Sequence, residues 1–180
     1  PNGVDFTKFY PDIDKEFLNK KGAKSAVVVF ARPDYRKGTD IALAVLKNLS
    51  DMGLGTDVIA WAIGGSLGGI PGIGVENFGF VDEDILRKIL SAADVLLLPS
   101  RHEGLSLLAL EALACACPIL ATAALDILED NKDAMVSPID DVNGLTQKLV
   151  SLLEGAALRD SLRQEGMRKV KGYSLVRSKE

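Results

Sequence analysis

Asp94-Val-Leu-Leu-Leu-Pro-Ser100-Arg-His-Glu103-Gly-Leu-Ser-Leu-Leu-Ala-Leu-Glu111-Ala-Leu-Ala-Cys-Ala-Cys-Pro118-Ile-Leu-Ala121 is the stretch whose reading decides the fold. Val95 to Leu98 is a short, wholly apolar run, the pattern of a strand buried on both faces. Pro99 and Ser100 end it, and a loop follows with Arg101, His102 and Glu103. An apolar helix is expected from about Leu105 to Ala114, then a second buried strand over Pro118 to Ala121. Between Glu103 and Asp126 the only charged residue is Glu111. A lone carboxylate in so apolar a segment needs a partner, because burying it unpaired is costly. That points to a ligand.

Working outward, the same alternation recurs. Residues 26–31 form an apolar strand, and Pro33, Asp34 and Gly38 mark a loop carrying Arg32, Arg36 and Lys37. Thr39 or Asp40 can cap a helix to about Met52, with Ile41, Ala44, Val45 and Leu49 as its apolar stripe. Strands are expected over 57–63 and near 75–79, separated by the glycine-rich stretch 64–74. Asp82 to Asp84 open a helix ending near Ala92. A helical turn at 125–129, a strand at 134–136 and helices at 142–154 and 156–171 complete the pattern. Strands alternating with helices imply a parallel sheet covered on both faces, an α/β Rossmann-like three-layer domain. It is expected to span residues 23–180, after a lead-in segment, residues 1–22, without clean periodicity. In such sheets ligands bind beyond the carboxyl ends of the strands, which directs attention to loops 32–38, 64–74, 79–82 and 100–106.

Composition narrows the function. With 47% hydrophobic and 26% charged residues the chain reads as an ordinary globular protein, and a net charge of −4 offers no basic field for nucleic acid. Glu111 and Pro118 argue against a membrane span over 104–125. Cys115 and Cys117 read as reduced core residues. No signal peptide is recognisable, and a chain beginning at Pro1 reads as processed or excised. The glycine-rich loop lacks Gly-x-Gly-x-x-Gly, which argues against a dinucleotide cofactor.

The site follows from chemistry. A helix starting near Leu105 would leave the amides of Gly104, Leu105 and Ser106 free, an anion site reinforced by the helix dipole. Arg32 and Lys37 across the crevice suit a diphosphate, with Arg36 as the spare. Glu103 and Glu111, if both helical, would stand roughly 12 Å apart along the axis. That layout fits a ligand with hydroxyls at each end and a diphosphate between, as in a nucleotide sugar. Each residue has a plainer alternative: the loop cations and Glu103 as solvated groups, Glu111 on the outer side of its helix, His102 as an exposed loop residue. Asp12-Ile-Asp14 has a spacing that can hold a metal, but it lies far from the anion site, and no metal is expected.

The residues also resemble a family. Pro1-Asn-Gly-Val-Asp5 with Phe9-Tyr-Pro11, Arg32 with Lys37-Gly38, Phe78-Gly-Phe-Val81, Ala93-Asp94-Val, Pro99-Ser100, the pair Glu103 and Glu111 separated by seven residues, Glu111-Ala-Leu-Ala-Cys, and Asp140 with Gly144-Leu145 occur in the order of the C-terminal, donor-binding half of GT-B-fold retaining glycosyltransferases. These form the glycogen synthase and sucrose synthase-like group, glycosyltransferase group 1. The resemblance implies transfer of a hexose from a UDP-, GDP- or ADP-sugar with retention and without an essential metal or other cofactor. Arg32 and Lys37 would hold the diphosphate and stabilise the leaving nucleotide. The amides of Gly104, Leu105 and Ser106 would bind phosphate and orient the sugar. Glu103 would contact the sugar, Glu111 the ribose, and Phe80 and Val81 would lie near the base. Arg32, Lys37 and Glu103 are thus the expected catalytic residues. The acceptor, a sugar or a lipid, would come through an N-terminal half absent from this chain, so the chain alone is expected to bind donor without transferring it. A non-catalytic nucleotide-sugar-binding module and an epimerase of the same fold are the rival readings. The expected location is the cytoplasm, with the inner membrane face as the site a lipid acceptor would impose. Ala116, Ala123-Ala124 and Ala134 stand where the family commonly has glycine.

Overall fold

The computed structural model describes residues 3–174, so Pro1 and Asn2 of the junction motif lie outside it. Six parallel strands form one sheet in the order β3-β2-β1-β4-β5-β6: β1 Ser25–Phe30, β2 Val58–Ile63, β3 Gly74–Gly79, β4 Val95–Leu98, β5 Ile119–Thr122 and β6 Met135–Ser137. The order runs outward in both directions from the β1–β4 pair, whose register sets Val27 against Val95 and Val29 against Leu97. That reversal opens a crevice at the carboxyl ends of β1 and β4, where loops 31–38 and 99–106 face each other.

Alternation along β1 divides the core. Ala26 and Val28 face one layer, built with Ile89 and Leu90 of α3 (Glu83–Ala92) and Leu110 and Leu113 of α4 (Leu107–Ala114). Val27 and Val29 face the other, built with Val45 and Leu49 of α2 (Thr39–Asp51) and Leu145 and Leu149 of α5 (Val142–Glu154). Both faces are dry, so the strands read as continuous apolar runs instead of alternating ones. The three-layer Rossmann-like domain expected from the sequence is therefore the one observed.

Several elements differ from expectation in instructive ways. Residues 15–21 of the lead-in segment form helix α1 (Lys15–Lys21), started by Asp14, whose carboxylate accepts from the Glu16 amide at 2.8 Å. Phe17 on this helix packs against Trp61 and Phe78, which supplies the stabilisation a seven-residue helix lacks by itself. Helix α2 is preceded by Gly38 at φ 69°, not capped by Thr39 or Asp40, and Thr39 instead donates to the Arg32 carbonyl at 2.6 Å. No helix separates β2 from β3; Asn77 ties the connecting loop back through the Leu67 amide and carbonyl at 2.8 and 3.1 Å. Residues 125–129 hold the expected short turn, the Leu128 amide donating to the Leu125 carbonyl at 3.1 Å. Helix α6 (Ala156–Val170) closes the chain against α4, and the Val4 amide donates to the Tyr173 carbonyl at 2.8 Å, joining the two ends of the described chain. Among the described residues no helix is long and apolar enough to cross a membrane.

Candidate functional site

The crevice is built from the loop after β1 upward. Asp34 starts a single 3-10 turn, Tyr35–Lys37, by accepting from the Arg36 amide, and the Arg36 guanidinium folds back onto the same carboxylate at 2.7 Å. That contact holds the Asp34 carboxyl down at about 2 and occupies Arg36 locally, as the spare cation of the sequence reading. Gly38 closes the turn at φ 69°, and a Cβ there would overlap the Pro99 carbonyl oxygen. Only glycine lets the β1 loop pass this close to the end of β4.

That approach brings Lys37 to Glu103. Its Nζ lies 2.9 and 2.8 Å from the two carboxylate oxygens, and Ser100 Oγ donates to Glu103 at 3.2 Å. Thr122 Oγ1, from β5, donates to the Ser100 carbonyl and fixes the loop from beneath. Lys37 and Glu103 line a cavity of about 290 Å3 together with Phe30, Ser106, Leu107 and Leu108. Beside it is a second cavity of about 250 Å3, walled by Arg32, Phe80, Val81 and Glu111 and again by Phe30 and Leu108. The Arg32 guanidinium lies between two rings, 5.8 Å from the centroid of Phe30 and 5.2 Å from that of Phe80. Phe80 is 79% exposed, an aromatic face left open at the rim.

Glu111 sits on the crevice side of α4 and not on an outer face. No hydrogen bond or ion pair to its carboxylate is present among the described residues, and burial, with a smaller push from Glu83, raises its pKa to about 7. The unpartnered carboxylate anticipated from the sequence is therefore real.

One part of the expected geometry needs correction. Helix α4 begins at Leu107, with Ser106 as its cap accepting from the Ala109 amide at 3.3 Å. The amides without an intrahelical acceptor are thus those of Ser106, Leu107 and Leu108, two residues on from the expected Gly104, Leu105 and Ser106. Gly104 lies in open space, Leu105 packs on the core, and Ser106 lines the first cavity. The 12 Å helical separation of Glu103 and Glu111 also lapses, since Glu103 is in the loop. The signal for the later start was local: Ser106 is a preferred N-cap residue.

The remaining candidates fall away from the crevice. His102 is exposed, and Asp12 pairs with Arg87 at 3.0 Å while Asp14 caps α1. Among the described residues no group of three or more His, Cys, Asp or Glu could hold a metal ion. Cys115 and Cys117 are buried free thiols, both pushed up by burial. The sequence reading missed Phe30 and Leu108, the walls common to both cavities. Phe30 ends β1 and was legible only as one residue of the apolar run 26–31.

Comparison with known proteins gives this geometry a setting. The profile of the family described as Glycosyl transferases group 1 matches residues 24–155. An uncharacterised glycosyltransferase of Methanocaldococcus jannaschii is 24% identical over 175 residues, 92% of this chain and 48% of its own length. The chain thus spans about half of that relative. Among solved structures, the C-terminal domain of a glycosyl transferase group 1 family protein from Francisella tularensis superposes with TM-score 0.77 at 22% identity, over 96% of this chain and all of that one. Anabaena HepE, solved with UDP-glucose, superposes with TM-score 0.82 at 16% identity, over 98% of this chain and 53% of its own.

Proposed function

Because the chain belongs to the glycosyl transferases of group 1 and has the fold of the C-terminal GT-B half, we propose that its two adjoining cavities bind a nucleoside-diphosphate sugar as the donor site of a retaining glycosyltransferase. The base lies against the open ring of Phe80 and against Val81. The ribose hydroxyls donate to Glu111, whose carboxylate otherwise has no partner. The diphosphate crosses the shared Phe30–Leu108 wall, where the first amides of α4 and the positive end of its dipole meet Lys37, with Arg32 on the nucleoside side. The sugar reaches Glu103 and the open ground over Gly104, Leu105 and Ser106.

The chemistry follows from charge. As the bond from the anomeric carbon to the diphosphate breaks, negative charge grows on the leaving phosphate, and Lys37 and Arg32 are preorganised cations beside it. Glu103 holds Lys37 aimed before donor arrives, through both carboxylate oxygens. A sugar or lipid acceptor would be supplied from a further domain, so this chain alone holds donor without transferring it.

The observation that carries the proposal is one pair of cavities with a common wall, each containing one cation and one carboxylate. HepE, the structural neighbour solved with UDP-glucose, supports the choice of ligand class. Calorimetry with UDP-, GDP- and ADP-sugars tests it. Lys37→Ala and Glu111→Ala should each weaken binding by at least about tenfold while leaving the fold intact. Parent-like affinity in both variants would show that the donor sits elsewhere.

A further inference from the structure

Arg101 lies one residue after Ser100 and two before Glu103, yet it lines neither cavity. Its side chain, only 14% exposed, turns away from the crevice and gathers three loops. Toward the loop after β1 and the first turn of α2, its NH1 lies 3.0 Å from the Tyr35 carbonyl and 2.8 Å from Asp40, and NH2 lies 2.6 Å from the other Asp40 oxygen. Toward the loop after β6, its Nε lies 2.7 Å from Asp140. The guanidinium carbon lies over the Tyr35 ring, 3.9 Å from its centroid, and the backbone amide of Arg101 donates to the Arg36 carbonyl at 2.8 Å. Asp140 accepts its place at φ 62°, a left-handed conformation that aspartate tolerates better than most side chains.

These contacts flank the Lys37–Glu103 pair on both sides in sequence. Tyr35 and Arg36 immediately precede Lys37, and Arg101 precedes Glu103. The two loops that must meet for Lys37 to reach Glu103 are therefore fastened by one planar group a few residues away. A guanidinium can grip a carboxylate with two parallel bonds, accept a ring on its face and donate sideways at once; an ammonium cannot.

We propose that Arg101 is a positioning residue: it fixes the loops after β1, β4 and β6 so that Lys37 and Glu103 are preassembled at the diphosphate end of the site. Its importance for donor rests on the function proposed above, but the placement of Lys37 can be read without any ligand. In protein with 13C-methylated lysines, the Lys37 resonance, identified by its loss in Lys37→Arg, shifts when Glu103→Gln removes its partner. Arg101→Met should shift it the same way, Arg101→Lys should not restore it, and Asp140→Asn, which leaves the fold's other tethers, should move it part of the way. A Lys37 resonance unmoved in Arg101→Met overturns the proposal.

The binding arm separates positioning from general damage. Arg101→Met should weaken UDP-glucose by at least about tenfold and leave uridine monophosphate, held at the Arg32–Glu111 cavity, within about twofold. Equal loss of both ligands, or of neither, counts against the proposal. Absence of UDP-glucose binding in the parent would instead defeat the donor reading, with the Lys37 resonance still deciding the role of Arg101.

Discussion

Ala116 is in the wrong conformation for its side chain. It ends α4 at φ 56°, with its amide bonded to the Leu113 carbonyl at 3.1 Å and the Cys117 amide to the Ala112 carbonyl at 2.9 Å. That is the helix-ending double bond pattern that glycine fits without steric cost. Ala116→Gly should therefore stabilise the protein by about 1 kcal/mol, read as a higher urea midpoint at unchanged slope; an unchanged or lower midpoint would contradict the strain. The sequence showed the alanine where glycine is common but not that the backbone would keep the left-handed turn regardless, because the turn is set by Cys117 and the buried strand after it. Glu111 gives the second prediction at this scale. Its folded pKa of about 7 lies above the ordinary 4.5, so the folded state binds the proton more tightly than the unfolded one. The cost of its burial is absent below the unfolded value, grows as pH rises between the two, and is complete above about 7. Glu111→Gln should thus stabilise by about 1–2 kcal/mol near pH 8, after allowing for the partly solvated carboxylate, and by nothing near pH 4. Affinity for UDP-sugar, whose phosphates stay ionised throughout, should rise in the parent across the same interval and stay flat in the variant. Equal stabilisation at both pH values would remove titration from the explanation.

At the scale of elements, the site is the meeting of two loops, and glycine decides how closely they meet. Gly38→Ala would place a methyl group against the Pro99 carbonyl in a left-handed residue, and should cost about 2–4 kcal/mol, visible in thermal melts. Gly104→Ala meets nothing within 4 Å and should change stability by less than about 0.5 kcal/mol while weakening UDP-glucose binding if the proposed donor passes over it. Stability that responds alike in the two variants would mean that the loop contact does not set the fold. Element type was legible wherever hydrophobic period was strong: the six strands, the long helices α2 and α5, and the Asp82 cap of α3. It was not legible where tertiary contact overrides local pattern. Helix α1 forms because Phe17 finds Trp61 and Phe78, a contact that cannot be read along the chain. Glu111 stood out because charge is rare in its apolar run, and Arg32, Lys37 and Glu103 because they fall on the loops after β1 and β4, whereas Phe30 and Leu108 looked like any other core residue until the cavities gave them a second face.

For the whole molecule, the sheet order puts the β1 and β4 loops side by side at the point where the strand order reverses, and the crevice with its two cavities follows from that topology. The chain spans about half of its M. jannaschii relative. A 180-residue protein is small enough for residue-level titration in solution. The most direct measurement is a 1H–15N spectrum of this chain during addition of UDP-glucose. The donor-site reading predicts saturable shifts with a Kd below about 1 mM, concentrated at the amides of Lys37, Val81, Leu107, Leu108 and Glu111 and reproduced for the base end alone by uridine monophosphate. Spectra unchanged at millimolar UDP-, GDP- and ADP-sugars, or shifts gathered away from those amides, would contradict it.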